Sequence, residues 1–401
     1  MPGDSLKWYT CTPVAFVGDE SFFMRDSGLF SRSFRRLGIE SKSIMPLPGY
    51  AADFADELIR TEYTNLESPD WWKSLGIDGV LLYSWGAPRY RRIAQAIRKA
   101  GLKLAIFMDF SGDFIRWWRL PSYVQAKLAH RPDESLGVRW LAAWRDWFHD
   151  AGTDVLRNRH LSAADVVILG NPFCRENVTA LKGLYKPSIA RHAQILPCPI
   201  HERFFYDDAS PKEYRVIAIG RWDDERQKRP AFLAACLERL TVIDEQIVVD
   251  IYGNITPQLE TWHASLPFHV QSRVLLQGFL PNEELLGVYR RSMVSICSSS
   301  YESAHIVSVE ALCCGCSIAA PPRDGLLSLR WYATEDGGAA GTIAGSDTPE
   351  SLADAVLHEL QLWKTGRRDP SSISQAWTER VHTIRFIPRL LEQIGQTANV
   401  R

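Results

Sequence analysis

Short apolar runs alternate with amphipathic segments along the second half of the chain. The runs are rich in Val and Ile, as buried strands are, whereas the segments between them repeat apolar residues at helical spacing. This alternation predicts a parallel sheet covered by helices on both faces. The predicted strands span residues 214–220, 247–252, 274–277, 293–297 and 316–320. The predicted helices span residues 229–240, 258–265, 282–291 and 303–314.

The first half repeats this alternation less regularly. Strands are predicted at residues 13–17, 79–83, 103–107 and 166–169, with a helix at 89–100. The proline-containing connection at 195–205 is the predicted domain boundary. We therefore predict an α/β chain with two Rossmann-like domains, 1–205 and 206–375. A C-terminal helix over 376–401 is expected to pack back toward the first domain.

Composition narrows the class of protein. The 401 residues include 46 Lys and Arg against 47 Asp and Glu, so bulk charge gives no sign of a nucleic-acid partner. No apolar run is long enough to span a bilayer and residues 1–7 do not resemble a signal peptide, so a cytoplasmic location is expected. The eight cysteines are not expected to form disulfides. Cys313, Cys314 and Cys316 are interpreted as small buried residues rather than metal ligands.

Polar and glycine residues follow the predicted strands of the second half. Ligands of such sheets bind at the carboxyl ends of the strands, so these residues are expected to share one rim. They are Gly220, Arg221, Gly253, Asn254, Gly278, Phe279, Tyr301 and Glu302.

Two glutamates, Glu302 and Glu310, stand eight positions apart where a strand gives way to a helix. Ser303 is the predicted N-cap of that helix, whose positive end suits a phosphate. Two helical turns separate the glutamates by roughly 10 Å. This spacing fits one ligand with sugar hydroxyls at one end and ribose hydroxyls at the other. Two surface glutamates on an ordinary helix are the alternative interpretation.

Two cations, Arg221 and Lys228, flank the turn after the strand at 214–220. Both could reach a diphosphate, whose charge the two glutamates would otherwise repel. Pro230 fits the first turn of the following helix, where its missing N–H costs nothing. A solvated charge run is the alternative interpretation.

The order of these motifs over residues 216–321 resembles the C-terminal domain of retaining GT-B glycosyltransferases of the family 4 type, the glycosyl transferases group 1. The resemblance implies two Rossmann-like domains that face each other, with a nucleotide-diphosphate sugar held by the second and an acceptor by the first. It implies transfer of the sugar to an acceptor hydroxyl with retained configuration, needing neither a metal nor a cofactor. The acceptor would be a glycan, a lipid-linked molecule or another hydroxyl compound.

The resemblance also implies roles for individual residues. Arg221 and Lys228 correspond to the diphosphate-binding pair, Glu302 to the catalytic-site glutamate beside the donor sugar, and Glu310 to the ribose-binding carboxylate. Gly278 and Phe279 correspond to part of the base-binding wall. The phosphate-facing loop corresponds to the backbone of Ala304, His305, Ile306 and Val307.

The chain departs from the family pattern at several positions. His305 lies in a run that commonly contains glycine, and either contacts the donor or only occupies the loop. The interval between Arg221 and Lys228 is longer than usual, so Arg226 or Arg229 is an alternative cation. Asp109 stands where the first domain often supplies a catalytic histidine. A nucleotide-sugar epimerase of GT-B architecture and a non-catalytic nucleotide-sugar-binding protein therefore stay open as alternatives.

The 14 tryptophans are an unusual content for this length. Trp140, Trp144 and Trp147 recur at helical spacing, and residues 116–119 (RWWR) precede them. A core face is the favoured interpretation. The alternative is a face for glycans or for peripheral contact with a membrane, since indole suits both.

Overall fold

The computed structural model describes residues 6–109, 135–180, 189, 191, 193–334 and 339–395. The chain divides into two compact units, one comprising Met1–Leu196 with Ile387–Arg401 and the other Pro197–Phe386. The first boundary therefore lies before the predicted residue 205, inside the proline-containing connection. The C-terminal residues from Ile387 onward belong to the first unit.

Unit 1 is built on a seven-stranded parallel sheet in the order β3-β2-β1-β4-β5-β6-β7. Its strands are nearly continuous apolar runs because helices cover a parallel sheet on both faces. Three of them, β4, β5 and β6, were predicted from the sequence. The strands are β1 (Trp8–Cys11), β2 (Ser43–Pro46), β3 (Leu58–Thr61), β4 (Gly79–Tyr83), β5 (Lys103–Met108), β6 (Val166–Leu169) and β7 (Ala193–Ile195).

The helices of unit 1 vary from single turns to one long helix of 26 residues. They are α1 (Glu20–Phe23), α2 (Asp26–Arg36), α3 (Tyr63–Leu66), α4 (Pro69–Ser74), α5 (Arg91–Lys99), α6 (Leu136–Leu161) and α7 (Pro172–Ala180).

Unit 2 is built on a six-stranded parallel sheet in the order β10-β9-β8-β11-β12-β13. The alternation of strand and helix predicted from the sequence is confirmed here. The strands are β8 (Glu213–Arg221), β9 (Val248–Asn254), β10 (Val274–Gly278), β11 (Ser292–Ile296), β12 (Ser317–Ala320) and β13 (Gly341–Ile343).

The helices of unit 2 complete the connections between these strands. They are α8 (Glu225–Lys228), α9 (Pro230–Ile243), α10 (Pro257–Ser265), α11 (Phe268–Gln271), α12 (Asn282–Arg291), α13 (Ile306–Cys313), α14 (Leu327–Thr334), α15 (Pro349–Lys364), α16 (Pro370–Val381) and the first residues of α17 (Thr383–Gln393).

Two predicted elements are wrong. The strand predicted at 13–17 lies instead at Trp8–Cys11, because Pro13 follows the buried run rather than starting it. The single C-terminal helix is two helices, α16 and α17, separated at His382. His382 is extended and donates its backbone N–H to the carbonyl of Thr378, which closes the last turn of α16.

The eight cysteines are all buried as free thiols. Cys313, Cys314 and Cys316 lie in the core around the turn between α13 and β12. Among the residues that the structure describes, no helix is both long enough and apolar enough to cross a membrane.

Candidate donor site in the second unit

The carboxyl ends of β8 and β9 lie side by side in the sheet of unit 2. Gly220 pairs with Gly253 and Arg221 with Asn254, so the predicted rim residues are adjacent. Gly253 has a φ of 115°, and a Cβ there would lie 1.9 Å from the carbonyl oxygen of Gly220. Only glycine fits this approach of two strands.

Lys228 and Glu302 form a buried ion pair at this edge of the sheet. The Nζ of Lys228 lies 2.5 Å from Oε1 of Glu302, and the two side chains are 12% and 9% exposed. Lys228 is the last residue of α8, whose N-terminus is capped by the Asp224 side chain. Sequence reasoning selected both residues, and the structure brings them together.

Hydrogen bonds tie the turn that carries Lys228 to the loop that carries Glu302. Ser298 Oγ donates to the carbonyl of Lys228 at 2.6 Å. Ser300 donates its backbone N–H to the carbonyl of Gln227 and its hydroxyl to that of Arg226, both at 2.7 Å. The pair is therefore held by a preformed frame. The serine run at residues 298–300, which follows β11, is the sequence signal for this frame.

The Glu302 carboxylate is held in its charged form. Burial disfavours that charge, but the Lys228 charge and the hydrogen bonds from Lys228 and Ser299 outweigh burial, and the pKa of Glu302 falls below its ordinary value. Ser299 Oγ donates to Oε1 at 2.7 Å, and the backbone N–H of Glu302 donates to the carbonyl of Gly325 at 2.8 Å.

The helix after Glu302 begins later than predicted. Ser303 is not its N-cap; α13 starts at Ile306 and His305 is the N-cap. The carbonyls of Ser303 and Ala304 accept hydrogen bonds from the Ser328 and Tyr332 hydroxyls, which hold these residues in a loop. The free N–H groups at the start of α13 therefore follow His305.

His305 occupies a backbone conformation that favours glycine. Its φ is 46°, in the left-handed region, at a position in the run where the family commonly contains glycine. The imidazole is buried, and its Nδ1 lies 2.7 Å from Ser308 Oγ. Burial lowers the pKa of His305 to about 4 in spite of the nearby Glu302 charge, so the ring is neutral at pH 7.

Glu310 lies apart from the Lys228–Glu302 pair. Its carboxylate is buried within α13 and accepts a hydrogen bond from the Tyr289 hydroxyl at 2.9 Å. Arg221, by contrast, is 71% exposed at the end of β8, with Gln227 Oε1 at 3.3 Å from its guanidinium. The structure therefore places Glu310 beneath the surface and Arg221 on it.

The alternative cation Arg229 is occupied elsewhere. Its guanidinium bonds to Asp347 at 2.8 Å and stacks on the Phe232 ring at 3.6 Å. Arg323 also pairs with Asp347 and donates to the carbonyl of Ser300. Arg323 and Asp347 were not selected from the sequence, because no local pattern links them to this loop.

The predicted base wall lies at the end of β10. Gly278 has a φ of 75°, which turns the chain out of the strand, and Phe279 beyond it is 81% exposed. An aromatic ring this exposed is free to stack on a flat ligand.

Asp109 follows β5 directly in unit 1. Its side chain is half-buried, with the Tyr83 hydroxyl 3.3 Å from Oδ2. Residues 116–119 (RWWR), selected from the sequence as an aromatic segment, lie outside the described residues.

The core-face prediction for the tryptophans of α6 is wrong for Trp140 and Trp144. These rings are 46% and 38% exposed, whereas Trp147 is buried. The helix has apolar residues on more than one face, so helical spacing alone did not show which face is covered.

No group of three or more His, Cys, Asp or Glu side chains within the described ranges could hold a metal ion.

Comparison with known proteins agrees with this architecture. Residues 213–361 match the family model described as "Glycosyl transferases group 1". No curated protein matches the chain.

Solved structures match the chain over nearly its whole length. Sucrose-phosphate synthase from Thermosynechococcus elongatus is 15% identical, with a TM-score of 0.60 over 97% of this chain and 99% of that one. Anabaena HepE in complex with UDP is 11% identical, with a TM-score of 0.60 over 97% and 100%. A glycosyltransferase from Rickettsia africae is 10% identical, with a TM-score of 0.62 over 98% and 99%.

The chain has the fold of the GT-B class, which it shares with these solved structures. Its second unit carries the domain of the glycosyl transferases group 1. The predicted GT-B fold and the predicted resemblance of residues 216–321 to the glycosyl transferases group 1 are thereby confirmed.

Proposed function

We propose that the protein is a retaining glycosyltransferase that moves a sugar from a nucleotide-diphosphate sugar to an acceptor hydroxyl without a metal. One observation carries this proposal: Lys228 at the end of α8 forms a buried ion pair with Glu302, which lies in the loop leading to α13 at the carboxyl edge of the sheet. This edge is where α/β sheets bind ligands. Both charges and free backbone N–H groups are therefore available to one donor molecule.

Each group has a proposed part in binding the donor. Lys228 and the exposed Arg221 bind the diphosphate, assisted by the backbone from Ala304 to Val307. Glu302 accepts hydrogen bonds from hydroxyls of the donor sugar, and Glu310 binds the ribose. Gly278 and Phe279 contact the base. Gly220, Gly253 and Asn254 form the rim.

The proposed chemistry needs no protein nucleophile. As the bond from the anomeric carbon to the diphosphate oxygen breaks, negative charge grows on the leaving group. Lys228 and the N–H groups at the start of α13 stabilise that charge, which replaces the role a metal would play. The acceptor hydroxyl attacks from the same face and its proton leaves with the diphosphate, so the configuration is retained.

Asp109 is the polar group proposed to act from the first unit in place of the usual histidine. An Asp109→Asn variant should lose at least about 100-fold in kcat because its charge is removed, while nucleotide affinity stays unchanged. Equal turnover by the variant and the parent would remove Asp109 from the mechanism.

A uridine diphosphate sugar is the first donor to test, because Anabaena HepE was solved with UDP and with UDP-glucose. The protein is incubated with UDP-, GDP- and ADP-sugars and mixed acceptors, with and without EDTA, and products are followed by proton NMR. Retained anomeric configuration with EDTA present supports the proposal. An inverted product, or activity lost with EDTA, contradicts it.

The alternatives give distinct results in the same assay. An epimerase would convert the donor with no acceptor present. A non-catalytic binding protein would bind the nucleotide and leave every donor intact. The position of Asp109, where the resemblance leads one to expect a histidine, favours the second alternative.

Peripheral contact of a cytoplasmic enzyme with a membrane is proposed for α6. Leu136, Leu141 and Phe148 on this helix are 65–74% exposed, which suits insertion at a lipid surface. Flotation with anionic vesicles tests this: Leu141→Asp should lower the bound fraction, and the exposed Val242→Asp of unit 2 is the control. Equal flotation of parent and Leu141→Asp would contradict it.

A further inference from the structure

Exposed aromatic rings gather at the carboxyl edge of the sheet in unit 1. Phe16 lies in the loop after β1 and Tyr50 in the loop after β2, and they are 41% and 40% exposed. Trp85, half-buried, follows β4. Because β1 lies between β2 and β4 in a parallel sheet, all three loops leave the same edge.

A half-buried ion pair, Asp53–Arg60, holds the first two loops together. Arg60 donates to both carboxylate oxygens of Asp53, at 2.9 and 2.8 Å, and also to the carbonyl of Phe16. Asp53 in turn accepts the backbone N–H groups of Gly18 and Tyr50 at 2.8 and 2.9 Å. The Arg60 guanidinium lies 5.3 Å from the Tyr50 ring centroid. The rings are therefore fixed before any ligand arrives.

Trp85 is held in a strained conformation beside Phe16. Its φ is 52°, in the left-handed region, where a bulky residue pays a steric cost. Its ring meets the Phe16 ring edge-on, with centroids 6.4 Å apart. Strain of this kind clusters at ligand sites, where the surrounding structure keeps it in place.

We propose that Phe16, Tyr50 and Trp85 form an acceptor platform that binds a carbohydrate ring. The C–H face of a sugar is apolar and carries partial positive charge, which matches the negative face of an aromatic ring. An aliphatic chain, by contrast, would bind no better to aromatic side chains than to branched aliphatic ones. The exposed carboxyl edge of a parallel sheet is also where a ligand is expected.

This inference rests on the proposed transfer to a hydroxyl and names the chemical class of the acceptor. It is tested by isothermal titration with matched methyl and octyl glycosides of common hexoses and disaccharides, with and without UDP. The methyl series offers the sugar alone, and the octyl series adds an aliphatic chain.

At least one methyl glycoside should bind the parent, and its octyl counterpart should bind with similar affinity. Phe16→Ala and Tyr50→Ala should each weaken that binding about tenfold. The conservative variants Phe16→Tyr and Tyr50→Phe should stay within about twofold. Phe268→Ala, which removes an 84% exposed ring of unit 2, should bind like the parent.

Two results would overturn the inference. One is binding that needs the octyl chain and ignores the sugar, which would make the acceptor apolar. The other is absence of binding by every methyl glycoside, or unchanged affinity in both alanine variants with parental thermal unfolding.

Nucleotide binding is measured on the same samples by thermal shift. Nucleotide binding without glycoside binding removes only this inference. Glycoside binding without nucleotide binding contradicts the proposed function instead.

Discussion

Lys228 Nζ lies 2.5 Å from Glu302 Oε1 although the two residues are 74 positions apart in the chain. Both charges are largely withdrawn from water, so each needs the opposite charge of the other to offset the cost of its burial. The frame of serine hydrogen bonds fixes the turn and the loop on either side. The pair should therefore contribute to the stability of unit 2 as well as to the proposed donor site.

Removing one partner of this pair should destabilise unit 2. Lys228→Met leaves the Glu302 carboxylate buried without a cation, and we expect a loss of about 3 kcal/mol in the free energy of unfolding. The double variant Lys228→Met/Glu302→Gln should lose less than the sum of the single losses. Urea unfolding gives the free energy of unfolding of the two single variants and of the double variant.

The pair Lys364–Asp244, 3.4 Å apart, is the control for that cycle, because the Lys364 side chain is 42% exposed. Lys364→Met should cost less than about 1 kcal/mol, because water screens the exposed ammonium of Lys364. Strictly additive losses for Lys228 and Glu302 would show that the two charges do not interact.

The left-handed backbone at His305 predicts an order of stability between two small substitutions. Both His305→Gly and His305→Ala lose the buried ring and its bond to Ser308. Only alanine retains a Cβ at a φ of 46°, so the glycine variant should be more stable by about 1 kcal/mol. Thermal unfolding gives the order, and a more stable alanine variant would contradict the assigned conformation.

Two buried histidines predict weaker folding in mild acid. Burial lowers the pKa of His305 to about 4, and burial with the Arg157 charge does the same for His160. Below about pH 6.5 the unfolded chain binds protons that the folded chain excludes. Each histidine should therefore reduce the free energy of unfolding by up to about 1.4 kcal/mol per pH unit between pH 6.5 and 5.

Glutamine variants separate the effect of histidine protonation from that of carboxylate protonation, because carboxylates stay ionised between pH 6.5 and 5. His305→Gln should flatten the pH dependence of unit 2, and His160→Gln that of unit 1. Urea unfolding followed by hydrogen exchange reports the units separately. If neither substitution changes the slope of the free energy of unfolding against pH, the histidines are protonated in the folded protein.

The Asp53–Arg60 pair should stabilise unit 1 only where Asp53 is ionised. The Arg60 hydrogen bonds lower the pKa of Asp53 to about 2. Its contribution is then complete above about pH 4 and is lost as the pH falls toward 2. Asp53→Asn should cost about 1 kcal/mol at pH 7, and the difference from the parent should shrink at pH 2.5. A difference that stays constant with pH would exclude the ionised pair as its cause.

The sheet of unit 2 could be predicted because its strands are continuous apolar runs between helices with clear spacing. The strands at Ser43–Pro46 and Leu58–Thr61 were missed because each is four residues long and carries polar residues. The helix start at Ser303 was misplaced because its actual cap, His305, uses a conformation rarely adopted outside glycine.

The residues of the candidate site could likewise be predicted only where a local sequence pattern marks them. Lys228 and Glu302 were predicted because both lie in the connections that follow strands β8 and β11 at the carboxyl edge of the sheet. The roles of Ser298, Ser300, Arg323 and Asp347 depend on contacts between distant segments, which no spacing shows. The Asp53–Arg60 pair could not be predicted for the same reason. Arg60 of β3 connects it to Pro46 of β2 and to Phe16 after β1, which are distant in sequence.

The binding of UDP, GDP and ADP to the purified protein, by isothermal titration, tests the central claim most directly. We predict that one nucleotide series binds the parent and the control Lys364→Ala equally, and that a folded Lys228→Ala variant binds at least about tenfold more weakly. If no nucleotide diphosphate binds, or if Lys228→Ala binds as tightly as the parent, the donor site does not lie at the Lys228–Glu302 pair.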